Sequence, residues 1–178
     1  MEINVVIEIP QGSDIKYEID HKTGKIYVDR FLYAAAHYPF NYGYVEGTLA
    51  PDGDPLDCLV ISREAVIPGT IMRARPVGAL HTIDENGDDV KVISVPIPSV
   101  DPFYSDVNNV GDLSRSVRNE IEHFFNHYKE LEPEKFVKVL GWMGKEEAEN
   151  TIVRCSTSEQ SRGRLLVSAP HKAKRSDR

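Results

Sequence analysis

Apolar and polar residues alternate in short runs over the first half of the chain. Residues 4–9 form a first apolar run that stops at Pro10, and two further runs, 16–20 and 25–30, flank a four-residue connection that ends in Gly24. Two arms around a glycine-containing turn are typical of a β-hairpin. Other strand-like runs cover 56–62, 70–80 and 90–95. Five or so short strands separated by turn residues predict a small barrel or sandwich.

Helical periodicity enters only in the last third of the chain. Apolar residues spaced by three and four follow Asp112, which we expect to be the N-cap of an amphipathic helix ended by Pro133. A second helix is predicted from about Lys145, because its acidic first turn suits the positive end of a helix. We therefore predict an α+β domain over residues 1–158, a twisted five-stranded barrel packed by two helices, followed by a flexible basic tail over 159–178.

The composition narrows the class of protein. A chain of 178 residues is long enough to bury a core without disulfides, and its two cysteines lack the short spacing of a zinc site. So few cysteines, and no apolar stretch of about 20 residues, predict a cytoplasmic protein with no membrane partner. The formal net charge is -7, and the part before the basic tail carries -11, which argues against a nucleic-acid partner.

Two acidic turns are the densest chemical feature. Asp52, Asp54 and Asp57 place three carboxylates within six residues, and a second acidic turn covers 84–89. Carboxylates that cluster repel one another unless a cation lies among them, and oxygen ligands suit Mg²⁺ or Ca²⁺. An EF-hand loop that begins at Asp52 is excluded, because Asp57 and Arg63 stand where that loop needs Gly and Glu. A solvated acidic turn remains the alternative for either segment alone.

The segment Asp52-Gly-Asp-Pro-Leu-Asp57, followed by Cys-Leu-Val, resembles the signature of family I soluble inorganic pyrophosphatases of the bacterial type. Further motifs of that family follow in the same order along nearly the whole chain to about residue 155. They lie at 8–10, 16–18, 28–30, 38–43, 75–78 and 123–129. The resemblance implies an enzyme, an inorganic diphosphatase, that hydrolyses pyrophosphate to two orthophosphates with metal-activated water.

The resemblance also implies roles for individual residues. The implied Mg²⁺ ligands are Glu8, Glu18, Asp52, Asp57, Asp84 and Asp89. The implied contacts to pyrophosphate oxygens are Lys16, Arg30, Tyr42, Lys91, Tyr128 and Lys129. Asp54 resembles the residue usually assigned as the general base, and Asp89 is a second candidate for that role. Three to four Mg²⁺ ions per site are implied, with Mn²⁺ or Zn²⁺ as substitutes and Ca²⁺ as an inhibitor, in a homohexamer.

The charges of this residue set are coherent with the implied chemistry. Its seven carboxylates and four cations give the metal-free site a formal charge of -3, so we expect it to repel pyrophosphate. Three Mg²⁺ ions would bring the site to +3, close to balancing the bound substrate. We therefore expect activity to depend on a divalent metal.

Other patterns favour other functions less strongly. His123 and His127 have the spacing of a zinc pair, but Phe124 stands where zinc-protease helices carry Glu, so a structural role is favoured. His21 is expected to be a solvated turn residue, although contact with the site stays open.

A five-stranded OB-like barrel also suits a non-catalytic metal- or nucleic-acid-binding module, which is the alternative function. Stacking aromatics among basic residues would favour that module, and the acidic body weighs against it.

Overall fold

A computed structural model describes residues 1–167 of the chain, with side chains described up to Ser156. The strands are β1 (Ile3–Ile9), β2 (Ile15–Ile19), β3 (Ile26–Phe31), β4 (Asn41–Val45), β5 (Asp57–Val60), β6 (Ile71–Asp84), β7 (Gly87–Pro96) and β8 (Val137–Met143). The helices are α1 (Arg115–His127) and α2 (Lys145–Val167), and short 3₁₀ turns cover Pro102–Tyr104 and Val110–Asp112.

Five of the strands close into a ring. The order in the main sheet is β1-β4-β5-β7-β6-β8, and β1 also pairs with β6, so the first five strands of that order have no free edge between them. The pairing of β5 with β7 is parallel, and the other pairings in this sheet are antiparallel. Helix α1 packs on β8, and α2 packs on β6. The predicted class, an α+β fold with a five-stranded OB-like barrel and two helices, is confirmed.

The predicted hairpin forms a small sheet of its own. Strands β2 and β3 pair antiparallel with Lys16 opposite Arg30, and β2 also contacts β1 of the barrel. Gly24 in the connecting turn has φ of 67°, a left-handed conformation that favours glycine. The hairpin therefore holds two cations beside the barrel.

The apolar interior divides into two clusters with different side chains. One is mainly aliphatic and joins all five strands of the ring to α2, with Val5, Ile7, Val60 and Ile152 among its buried members. The other is rich in aromatic rings and includes the α1 face. Its buried aromatic members are Tyr38, Phe40, Tyr42, Phe124, Phe125 and Tyr128. Three of these rings carry hydroxyl groups, so the aromatic cluster is the one that can also present polar atoms at its edge.

Several predicted elements differ from the structure. Asp112 is not the N-cap of α1, because its carboxylate accepts the backbone N–H groups of Asn108 and Asn109 behind it. Ser114 caps the helix instead, through the N–H of Val117 at 3.2 Å. The helix ends at His127, well before Pro133. Strands β4 and β8 were not predicted.

The predicted boundary at residue 158 does not coincide with the end of an element. The backbone of α2 continues to Val167, although the sequence after Ser156 has no apolar periodicity that could predict the extension. Residues 168–178 of the predicted basic tail lie outside the described residues, and the flexibility of that tail stays a prediction.

Candidate active site

One cavity of about 780 Å³ opens beside the aromatic cluster. All thirteen residues that the sequence and the family resemblance assign to the site line this cavity, although they come from seven strands and two loops. They are Glu8, Lys16, Glu18, Arg30, Tyr42, Asp52, Asp54, Asp57, Asp84, Asp89, Lys91, Tyr128 and Lys129. The fold therefore brings the predicted set to one place, while the role assigned to each residue stays a prediction.

A buried lysine lies at the centre of one wall of the cavity. Lys91 is 2 % exposed, and its Nζ donates to Asp57 on β5 and to Asp89 on β7, each at 2.6 Å. The parallel pairing of β5 with β7 produces this meeting, because it sets the start of β5 beside Lys91. The Asp57 and Asp89 oxygens that accept from Lys91 therefore lie at most twice 2.6 Å apart.

The pKa values of this group follow from burial and charge. Burial alone would lower the pKa of Lys91, but the adjacent Asp57 and Asp89 raise it above its ordinary value. Burial raises the pKa of Asp89, with Lys91 acting in the opposite direction and Asp57 adding to the rise. Lys91 therefore remains a cation, and its single charge only partly compensates the two carboxylates.

Asp84 lies at the second acidic turn, where β6 turns into β7. Its Oδ1 accepts the N–H of Asn86 at 2.8 Å, and its Oδ2 accepts Lys129 Nζ at 3.2 Å. Burial would raise the pKa of Asp84, but these two donors hold it below its ordinary value. Lys129 also lies 3.6 Å from Glu85. The turn thus anchors the lysine that follows α1.

Glu8 reaches the cavity because β1 is irregular at this residue. The register of the β1–β4 pairing shifts between Ile7 and Ile9, so Glu8 has no residue paired opposite it on β4. A bulge of this kind redirects a side chain. Its Oε1 accepts the N–H of Ile19 at 2.9 Å. Burial raises the pKa of Glu8 to about 7, and the negative charge of Glu18 adds to the rise.

Asp52 and Asp54 lie on an exposed loop at another side of the cavity. Asp52 accepts the N–H of Asp54 at 3.1 Å, and Gly53 between them has φ of 98°, a left-handed conformation. Ala50 N–H donates to the carbonyl of Asp54 at 2.7 Å, which closes the turn. These two carboxylates are thus held by a turn and remain open to water.

The hairpin contributes a network of opposite charges. Lys16 pairs with Glu18 and lies 3.7 Å from Asp29, which also accepts Arg30 Nη1. Arg30 Nε donates to Glu132 at 3.0 Å. Burial would lower the pKa of Arg30, but Glu132 and Asp29 raise it, so the guanidinium stays charged.

Tyrosine hydroxyls complete the lining. Burial raises the pKa of Tyr42, Tyr128 and Tyr38 well above the ordinary value. Their hydroxyl groups therefore keep their protons and can donate to an anion. Lys91 Nζ lies 5.8 Å from the centre of the Tyr42 ring and 5.7 Å from that of Phe125, so the aromatic cluster supports the central lysine.

The donor set fits a divalent cation with a preference for oxygen. Among the side chains that the structure describes, no three acidic, histidine or cysteine groups form a preassembled coordination shell. Burial raises the pKa values of Glu8 and Asp89, and the negative charges of the neighbouring Glu18 and Asp57 add to the rise, so a cation placed among these carboxylates would offset that charge. Carboxylate oxygens are the ligands that Mg²⁺ prefers, so the residues present suit it.

The structure adds cavity residues to which no role was assigned from the sequence. Tyr38, Glu85 and Lys135 also line the cavity, and Glu132 contacts Arg30 from behind. The charge pattern of 128–135 could have drawn attention to Glu132, but its burial depends on tertiary contacts. His21 lies on the cavity wall with its ring 5.0 Å from that of Tyr44.

The histidine pair of α1 lies apart from this site. The rings of His123 and His127 stack with centres 4.3 Å apart, and neither ring lines the cavity. His127 Nδ1 bonds the carbonyl of His123 at 2.7 Å.

Comparison with known proteins decides the family. The family model of inorganic pyrophosphatase matches residues 5–160. The chain belongs to the inorganic pyrophosphatase family. A curated relative, the inorganic pyrophosphatase of Aquifex pyrophilus, is 59 % identical over 147 residues, which cover 83 % of each chain.

Solved structures agree with this assignment. The inorganic pyrophosphatase of Helicobacter pylori has a TM-score of 0.88 and 46 % identity, covering 89 % of this chain and 94 % of the other. The inorganic pyrophosphatase of Thermus thermophilus has a TM-score of 0.85 and 42 % identity, covering 89 % of this chain and 91 % of the other.

No helix in residues 1–167 is both long and apolar enough to cross a membrane.

Proposed function

We propose that this cavity hydrolyses inorganic pyrophosphate with three to four Mg²⁺ ions held by Glu8, Glu18, Asp52, Asp57, Asp84 and Asp89. Membership of the family makes the chain an enzyme that hydrolyses inorganic pyrophosphate, and the non-catalytic binding module is not favoured. The single observation that supports the proposed site is that all thirteen predicted side chains line one cavity.

Bound Mg²⁺ would neutralise phosphoryl oxygens and lower the pKa of the attacking water. The chain supplies the remaining functions. Asp54, exposed on its loop, accepts the proton that water loses as the new P–O bond forms, and Asp89 is the second candidate for this role. The bridging P–O bond then breaks, and its electron pair stays on the leaving phosphate.

The cations and hydroxyl groups hold the substrate during this step. Arg30, Lys16, Lys91 and Lys129 supply positive charge for the phosphoryl oxygens, and charge stabilisation of this kind is the main requirement of phosphoryl transfer. Tyr42 and Tyr128 donate hydrogen bonds, because burial keeps their hydroxyl groups protonated. The mixture of acids and cations in one cavity thus suits a substrate that arrives with metal ions.

Phosphate release from pyrophosphate tests the proposal. We expect rapid release with Mg²⁺ and none after chelation, weaker activity with Mn²⁺ or Zn²⁺, and inhibition by Ca²⁺. Folded protein that releases no phosphate in Mg²⁺ would contradict the proposal.

Assembly and location form a further part of the proposal. Exposed apolar side chains on and just after β3 support association of chains into a homohexamer, since Phe31 is 60 % and Tyr33 is 59 % exposed. The buried thiols of Cys58 and Cys155 are compatible with a reducing cytoplasm. Sedimentation at several concentrations tests the hexamer, and a monomer at all of them would contradict it.

A further inference from the structure

Glu132 is the most buried acidic residue in the described part of the chain, at 6 % exposure. A carboxylate that loses its water needs compensating partners, because an unpaired buried charge is strongly unfavourable. Two cations meet this need. Arg30 Nε donates to Oε1 at 3.0 Å, and Lys135 Nζ lies 3.6 Å from Oε2. Both cations line the catalytic cavity, whereas Glu132 lies behind them.

The contacts of Arg30 fix the plane of its guanidinium. Arg30 Nε donates a hydrogen bond to Glu132, and Arg30 Nη1 donates one to Asp29. The remaining nitrogen, Nη2, has no hydrogen-bond partner among the residues that the structure describes. Because a guanidinium is planar, holding two of its nitrogens determines where the third one points. The two acids therefore leave one edge of Arg30 available to an anion in the cavity.

Glu132 also connects Arg30 to a second predicted substrate contact. Its backbone N–H donates to the carbonyl of Lys129 at 2.9 Å, within the turn that follows α1. The same residue thus joins β3, which carries Arg30, to the turn that carries Tyr128 and Lys129. These side chains come from distant parts of the sequence, and Glu132 contacts both parts.

We propose that Glu132 is a positioning residue for pyrophosphate hydrolysis, which orients Arg30 and sets its distance from Lys129. The inference rests on the proposed function. Loss of the carboxylate charge would let the guanidinium rotate away from the substrate, and a displacement of about 1 Å can cost on the order of 100-fold in rate.

A double-mutant cycle tests the proposal. Phosphate release is measured in saturating Mg²⁺ for the wild type, Glu132→Gln, Arg30→Gln and the double variant. We expect kcat/KM to fall about tenfold or more for Glu132→Gln alone. In the Arg30→Gln background the same change should alter kcat/KM less than about twofold, because the group that it orients is already gone.

The turn offers a matched control. Glu134→Gln makes the same chemical change two residues away at an exposed side chain, and it should leave kcat/KM within about twofold. A purely structural role of Glu132 would lower kcat/KM by the same factor in both backgrounds, and that result would overturn the proposal. Unchanged kcat/KM in folded Glu132→Gln would also overturn it.

Two further measurements keep the test decisive. If Glu132→Gln does not fold, Glu132→Asp retains the charge on a shorter side chain, and its loss of kcat/KM should again vanish in the Arg30→Gln background. Equal losses in both backgrounds would contradict the proposal. An inactive wild type would count against the proposed function itself, so the two failures are distinguishable.

Discussion

Two groups of carboxylates face the same cavity from different environments. Asp57 and Asp89 lie on strands of the barrel and share the buried Lys91, whereas Asp52 and Asp54 lie on an exposed turn. The first group is fixed by sheet register and by a shared cation. The second group is held by hydrogen bonds within its turn. We infer that changes in the first group affect both stability and activity, while changes in the second affect activity alone.

Removing the shared cation should have the largest combined effect, because it changes stability as well as activity. Lys91→Met leaves Asp57 and Asp89 together without compensation, so we expect the free energy of unfolding to fall by about 3 kcal/mol in metal-free protein. Activity should fall about 100- to 1000-fold, because a cation that faces the substrate is lost. Urea unfolding and phosphate release measure the two effects. Lys22→Met, at an exposed turn, is the control and should change neither, and a stable Lys91→Met variant would refute the contrast.

Changing the exposed base should separate rate from stability. Asp54→Asn removes the proton acceptor, so kcat should fall about 100- to 10,000-fold. Because Asp54 is exposed, the free energy of unfolding should stay within about 0.5 kcal/mol of the wild type, and Mg²⁺ affinity should be retained. Steady-state kinetics and Mg²⁺ titration by calorimetry measure these quantities. If Asp54→Asn loses metal affinity and not kcat, the base is not Asp54.

The smallest effect is expected at the turn of the β2–β3 hairpin. His21 lies on the cavity wall, but it contacts Tyr44 and is exposed. His21→Gln should change kcat/KM by less than about threefold. The same phosphate-release assay checks this expectation. A tenfold loss of kcat/KM would contradict it and would indicate that His21 contacts the substrate.

The sequence predicted the elements whose apolar pattern is regular. The runs at 4–9 and 90–95 lie within β1 and β7, the run at 70–80 overlaps β6 from Ile71 onward, and the acidic turn at 84–89 contains the β6–β7 connection. The signature around Asp57 predicted clustered carboxylates for a divalent metal; these carboxylates line one cavity, and their roles stay predictions. The resemblance then supplied the distant members of the set, including Glu8 and Lys129.

Some of the missed features depend on tertiary contacts. Strand β4 contains Asn41 and Gly43, which are poor strand formers, but a Cβ at Gly43 would lie 1.9 Å from the carbonyl oxygen of Val6. Glycine is thus required by the close approach of β1, which no local pattern reveals. Strand β8 does alternate at Val137 and Val139, so its signal was present. The burial of Glu132 could not be predicted, because a charged residue in a polar turn normally faces water.

The Mg²⁺ dependence of pyrophosphate hydrolysis in Asp57→Asn, beside the wild type, tests the central claim most directly. The claim is that carboxylates of this cavity hold the metal ions that the reaction needs. We predict no phosphate release without metal in either protein. The Mg²⁺ concentration for half-maximal rate should be raised about tenfold or more in the variant, because one charged ligand is lost. Turnover without metal, or an unchanged half-maximal concentration in Asp57→Asn, would contradict the account.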